Sequence, residues 1–141
     1  MNDISLTVGD WSGDGHDKDE VFYIKCNLNV TELQDAYKQG VKETGIDVSK
    51  CCEEYEDSRF DKEDALKLLK EGKAFEFISK NIQKDIDDSI DDADDDDLTI
   101  YCIEMFAVLW LCVARIAQPT LKIQFNKNPP NIDIGGYGLF Y

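Results

Sequence analysis

Residues 98–117 read LTIYCIEMFAVLWLCVARIA, apolar on nearly every face, interrupted by few polar groups such as Thr99, Glu104 and Arg115 and halted just before Pro119. A run of about 20 apolar residues is the length that spans a bilayer. Charge decides against a span. Glu104 near the centre and Arg115 near the end are costly in lipid, no basic flanks orient the segment, and an Asp run directly precedes it. A helix that is apolar all round and does not cross a membrane is buried within its own domain. Residues 98–117 are therefore predicted to form a central core helix.

Working outward, Leu121, Ile123 and Phe125 alternate with Lys122 and Gln124, the period of a half-buried strand. Pro129-Pro130 marks a turn, and Ile132 and Ile134 lead through a bulge at Gly135-Gly136 to Tyr137, Leu139 and Tyr141, a second C-terminal strand. At the other end Ile4, Leu6 and Val8 alternate with Ser5 and Thr7, and Phe22, Ile24, Cys26 and Leu28 alternate with Tyr23, Lys25 and Asn27. This predicts a hairpin with a long polar loop. Between the two ends, Thr31-Glu32-Leu33-Gln34 reads as a capping box that opens a helix from about residue 32 to 44, with Val30, Leu33, Tyr37 and Val41 on its apolar face and a left-handed Gly45 at its end. Asp61 caps a second helix carrying Ala65, Leu66, Leu68 and Leu69 and ended by Gly72. Phe75, Ile78, Ile82, Ile86 and Ile90, mostly four apart, predict a third whose other faces become Asp-rich. The expected architecture is one α+β domain over residues 1–141. An N-terminal β-hairpin and the C-terminal strands share an antiparallel sheet, packed on about four helices that include the buried apolar core helix.

A chain of 141 residues with 43% hydrophobic and 11% aromatic content has enough apolar material for one core. Its 30 acidic against 15 basic side chains leave a net charge of −15. A field of that sign repels phosphate backbones and anionic lipid, which argues against direct binding of nucleic acid or a membrane surface, and it attracts basic proteins and cations. Cys26, Cys51, Cys52, Cys102 and Cys112 are odd in number and lack disulfide or zinc-knuckle spacing, so reduced thiols in a cytoplasmic protein are expected. Met1-Asn2-Asp3 passes straight into strand alternation, without the basic and apolar regions of an export signal.

The strongest candidate site is the acidic run over residues 85–97, in which Asp85, Asp87, Asp88, Asp91, Asp92, Asp94, Asp95, Asp96 and Asp97 make nine acids in thirteen positions. On a helix this would give one carboxylate per roughly 2 Å of axis, close to the charge spacing of duplex DNA at about 1.7 Å. In charge and size the chain resembles acidic phage anti-restriction and anti-CRISPR inhibitors and the immunity proteins that block nuclease toxins. That resemblance implies a DNA mimic or toxin antagonist whose partner is a basic protein such as a nuclease, toxin or nucleic-acid-binding enzyme. Glu53, Glu54, Glu56 and Asp57 would extend the acidic surface, and Trp11 would serve as an aromatic anchor. A different reading takes the same run as a solvated loop whose last Asp residues cap the core helix.

A second candidate lies at Asp10, Ser12, Asp14 and Gly15, which fill positions one, three, five and six of a calcium loop. Val21 stands where the bidentate Glu belongs and the flanks read as strands. A hairpin loop held by Asx-turns accounts for the same residues. No cofactor is expected beyond that calcium alternative. The lone His16 has no nucleophile motif around it, and no phosphate-cradling loop or zinc-protease motif occurs, so a non-enzymatic role is expected. A divalent-cation module and a structural or oligomerising subunit are the alternatives.

Overall fold

Ile4 and Ile24 stand opposite each other in the register of an antiparallel hairpin, and both are buried. Their strands, β1 (Asn2–Val8) and β2 (Glu20–Cys26), pair from Asn2 opposite Cys26 to Val8 opposite Glu20. A computed structural model of the chain describes residues 2–8, 20–48, 59–91, 97–99 and 103–126. Beyond the hairpin, the described residues form α1 (Val30–Thr44), β3 (Arg59–Asp61), α2 (Lys62–Glu71), a 3-10 turn (Ala74–Glu76), α3 (Lys80–Asp91), β4 (Asp97–Thr99), α4 (Ile103–Ala117) and β5 (Ile123–Asn126). The α+β class is as expected, and so is the sharing of one antiparallel sheet by both ends of the chain. The sheet order is β1-β2-β5, with β5 paired antiparallel to β2. Asn27 fastens that junction: its amide Nδ2 donates to the Thr120 carbonyl at 3.2 Å and its Oδ1 accepts from the Lys122 N–H at 2.9 Å.

Residues 107–114 of α4 are all buried, as the apolar run demands, and α4 packs on α1, on α2, on the 3-10 turn and on both hairpin strands. Gly40 of α1 makes the closest approach possible: a Cβ at that position would collide with the Val113 carbonyl. One turn back on each helix, Tyr37 stacks on Trp110 with ring centroids 4.4 Å apart and planes 8° from parallel. The expectation that Trp110 serves packing fits its 2% exposure. Gly45 adopts the left-handed conformation at φ 74° and ends α1 as expected. Among the described residues, no helix is long and apolar enough to cross a membrane.

Four expectations need correction. The cap of α1 is Asn29, not Thr31: Asn29 Oδ1 accepts from the Glu32 N–H at 2.8 Å and Glu32 Oε1 accepts from the Asn29 N–H at 3.1 Å. The capping box therefore starts two residues early, because Asn caps as well as Thr and an acid stands three residues after it. The core helix begins at Ile103, not Leu98, since Leu98 and Thr99 pair with Phe60 and Arg59 in the β3–β4 ladder. A β-branched Thr and an available strand partner favour extension there. The same pairing rules Asp97 out as a cap of the core helix, which starts six residues later. Finally, Phe75 and Ile78 lie outside α3. The Ser79 hydroxyl accepts from the Ile82 N–H at 3.3 Å, starting that helix at Lys80, and Phe75 sits in the separate 3-10 turn. The anticipated strand after Pro129-Pro130 lies outside the described residues.

Because backbone blocks the space at Gly40, Gly40→Ala is expected to lower unfolding free energy by about 2 to 3 kcal/mol. Gly45→Ala, in open space but at positive φ, should lower it by about 1 kcal/mol. Urea denaturation of the two variants measures both.

Candidate functional site

The apolar stripe of α3 is Ile82, Ile86 and Ile90, of which Ile82 and Ile86 are buried. With 100° between successive residues, Asp85, Asp87, Asp88 and Asp91 fall on the opposite side within an arc of about 160°. All four are exposed. Lys80 and Lys84 are exposed on the same arc, so four carboxylates face solvent beside two ammonium groups. The run over residues 85–97 is not one helix, because α3 closes at Asp91 and Asp97 lies in β4. A single helical line of charge along its whole length is thereby overturned, and among the described residues the acidic face is the α3 segment. Asp92, Asp94, Asp95 and Asp96 lie outside the described residues, as do Glu53, Glu54, Glu56, Asp57 and Trp11. The calcium-loop candidates Asp10, Ser12 and Asp14 lie outside them too. Among the described residues no group of three or more His, Cys, Asp or Glu side chains is placed to hold a metal ion.

Beside the acidic face runs a groove of about 700 Å³, lined by Leu66, Leu69 and Lys70 of α2, by Lys73, by Phe75 and Glu76 of the 3-10 turn, and by Asp87 and Ile90 of α3. Leu66 at 44% exposure and Phe75 at 50% are the large apolar side chains that stand exposed among the described residues, and both line it. Sequence reasoning counted Leu66 among the apolar residues of the second helix and placed Phe75 on the apolar stripe of the third. The available signal was angular: Ala65, Leu68 and Leu69 already fill the buried face of α2, and Leu66 lies about 60° beyond its edge.

The turn that carries Phe75 is shaped by a close approach. A Cβ on Gly72 would lie 2.5 Å from the Cβ of Cys112 on α4, so glycine is required there although its φ is an ordinary −78°. The left-handed step that commonly ends a helix at glycine falls instead on Lys73, at φ 51° and ψ 53°. Arg115 of α4 holds the result. Its Nη1 donates to the Lys73 carbonyl at 3.4 Å, its Nη2 donates to Glu76 Oε2 at 2.7 Å, and its guanidinium lies 5.7 Å from the Phe77 ring centroid. Arg115 was legible only as a polar interruption of the core helix.

Cys26 and Cys112 are free and buried. Burial pushes the Cys112 thiol far above its ordinary range, with Arg115 opposing weakly, and burial also raises Cys26 against a hydrogen bond to the Leu28 carbonyl. Both behave as packing groups rather than nucleophiles.

Two outcomes follow. Lys73→Gly relieves a left-handed side chain and is expected to raise stability by about 0.5 to 1 kcal/mol, read from the urea midpoint at unchanged m-value. A folded thiol pKa above the unfolded one contributes stability that is complete below the unfolded value and is lost as pH rises past it. Stability should therefore fall by about 1.4 kcal/mol per pH unit above about pH 9 for a thiol such as Cys112. Cys112→Ala should flatten that alkaline slope in melts between pH 7 and 10.

Comparison with protein-family models, with curated proteins and with solved structures finds no match to this chain, so the reading of this face rests on its own chemistry.

Proposed function

We propose that the protein is a non-enzymatic binding protein whose acidic surface occludes a basic site on a protein partner, such as a nuclease, a toxin or another nucleic-acid-handling enzyme. The observation that carries this reading is the solvent-facing arc of Asp85, Asp87, Asp88 and Asp91 set directly against a groove that exposes Leu66 and Phe75. Carboxylates steer a basic partner and set its register, and a neighbouring apolar cleft supplies the desolvated contact that charge alone lacks. The net charge of −15 acts in the same direction over longer range.

The test begins with capture of partners from lysate and their identification by mass spectrometry, followed by affinity measurement with the purified partner at low and moderate salt. Exposed ion pairs contribute about 0.2 to 1 kcal/mol each. Replacing Asp87, Asp88 and Asp91 with Asn should then weaken binding about threefold to a hundredfold and reduce its salt dependence, with the thermal midpoint unchanged. A partner that is acidic, or an affinity indifferent to all three substitutions, contradicts the proposal.

A further inference from the structure

We infer that α3 is a self-association surface: its exposed stripe Lys80, Lys84, Asp87 and Asp91 packs antiparallel against the same stripe of a second copy of this chain. At 100° per residue the four side chains fall within an arc of about 60° and follow one line along the helix. All four are exposed. Their charges are sorted along that line, with the two lysines in the N-terminal half of α3 and the two aspartates in its C-terminal half. Lys80 and Asp91 lie equally far from the level between residues 85 and 86, and so do Lys84 and Asp87. A two-fold axis perpendicular to α3 at that level sets Lys80 against Asp91 of the second copy and Lys84 against its Asp87, and symmetry repeats both pairs. A patch that is its own complement is what a closed dimer requires.

The pattern has no cause within the helix itself. Anions favour the first turn of a helix and cations the last, yet α3 has no acid in its first turn, which holds Lys80, and no base in its last, which holds Asp91. Both terminal charges therefore cost the isolated helix. An antiparallel neighbour reverses that cost, because it brings a carboxylate to each N-terminus and an ammonium group to each C-terminus. Exposed ion pairs alone do not hold two proteins together, since association must also offset lost translation and rotation. The apolar contribution stands beside the stripe. Asp87 and Ile90 form one wall of the groove, and Leu66 and Phe75, both exposed, line the other. The same axis places both grooves on one side of the helix pair, so each copy adds its Leu66 and Phe75 to one shared border. This goes beyond the binding of a basic protein: Asp88 and Asp85 lie about 70° and about 130° round the helix from the centre of the stripe, outside the contact. A basic partner that engages Asp87 and Asp91 competes with the second copy for them.

The test is sedimentation equilibrium of the full chain from micromolar to millimolar concentration, at about 150 mM salt, where a Debye length of about 8 Å screens the repulsion between two acidic copies. Wild type should show a monomer–dimer equilibrium, with concentration-dependent amide shifts centred on α3, Leu66 and Phe75. Lys84→Asp sets carboxylates against each other at two symmetry-related positions and should weaken the dimer at least about tenfold. The Lys84→Asp, Asp87→Lys double variant restores opposite charges in this register and should recover the dimer to within about threefold of wild type. The Lys84→Asp, Asp91→Lys double variant has the same composition and net charge but sets like charges together at all four positions, and it should stay monomeric. Phe75→Ser should weaken the dimer about tenfold. Since every substituted side chain is exposed, each variant should keep the melting midpoint of the wild-type monomer at low micromolar concentration, which separates lost association from lost folding. A wild type that stays monomeric at millimolar concentration, shifts centred elsewhere, or a dimer indifferent to Lys84→Asp or to Phe75→Ser overturns the inference. So does a folded matched double variant that fails to dimerise, or a mismatched one that does.

Discussion

Everything in the structure is arranged around one constraint: α4 is pinched between two glycines at consecutive residues. Gly40 of α1 sits against the Val113 carbonyl, and Gly72 at the end of α2 sits against Cys112. Neither neighbour can come so close if it carries a Cβ. The first contact sets the line of α1 along α4 and thereby lays Tyr37 over Trp110, a stack of about 0.5 to 1.5 kcal/mol beyond its buried area. The second has the larger reach. Since Gly72 is held by packing, the left-handed step moves to Lys73, the chain swings into the 3-10 turn, and Phe75 is delivered to the surface beside Leu66. The exposed groove is a downstream consequence of how tightly α2 meets the core helix.

The energetics divide along the same line. Each fully buried Leu, Ile or Val of α4 and its neighbours contributes roughly 1.5 to 3 kcal/mol on leaving water, while the Arg115–Glu76 pair, with Glu76 side chain 56% exposed, contributes about 0.2 to 1 kcal/mol. The core is shared: Leu68 of α2, Phe77 after the turn, and Ile82 and Ile86 of α3 are buried together with α1, α4 and the three-stranded sheet. The outer side of α2, the turn and α3 carries charge and exposed apolar surface, at Leu66, Phe75, Asp87, Asp88 and Asp91, that adds little to that core.

Much of this was legible from the sequence, for reasons that can be named residue by residue. Period-two alternation at Ile4 and Ile24, the unbroken apolar run at residues 107–114, Gly45 and the Asp61 cap each have one dominant local cause, and the structure follows it. The misreadings arose where two local signals compete. Asn29 and Thr31 are both good caps, and the neighbouring Glu32 decides between them. Leu98 and Thr99 belong to an apolar run but find strand partners 38 and 40 residues earlier, at Phe60 and Arg59, which periodicity cannot see. The acidic character of the site was plain, since Asp85, Asp87, Asp88 and Asp91 follow from helix geometry opposite Ile82 and Ile86. Its apolar half was not. That half depends on Gly72 meeting Cys112 and on Arg115 reaching Lys73 and Glu76, contacts between residues about 40 positions apart that leave no trace in local pattern.

The α1–α4 core and the outer face of α2 and α3 are expected to be energetically separate. Native-state amide hydrogen exchange across low denaturant tests this most directly, because it resolves the opening free energy of each element. The account predicts that amides at residues 107–114 exchange only through global unfolding, while those of α3 exchange through a smaller opening that leaves α4 protected. Exchange of α3 and α4 in a single step with the same free energy, or opening of α4 ahead of α3, would contradict it.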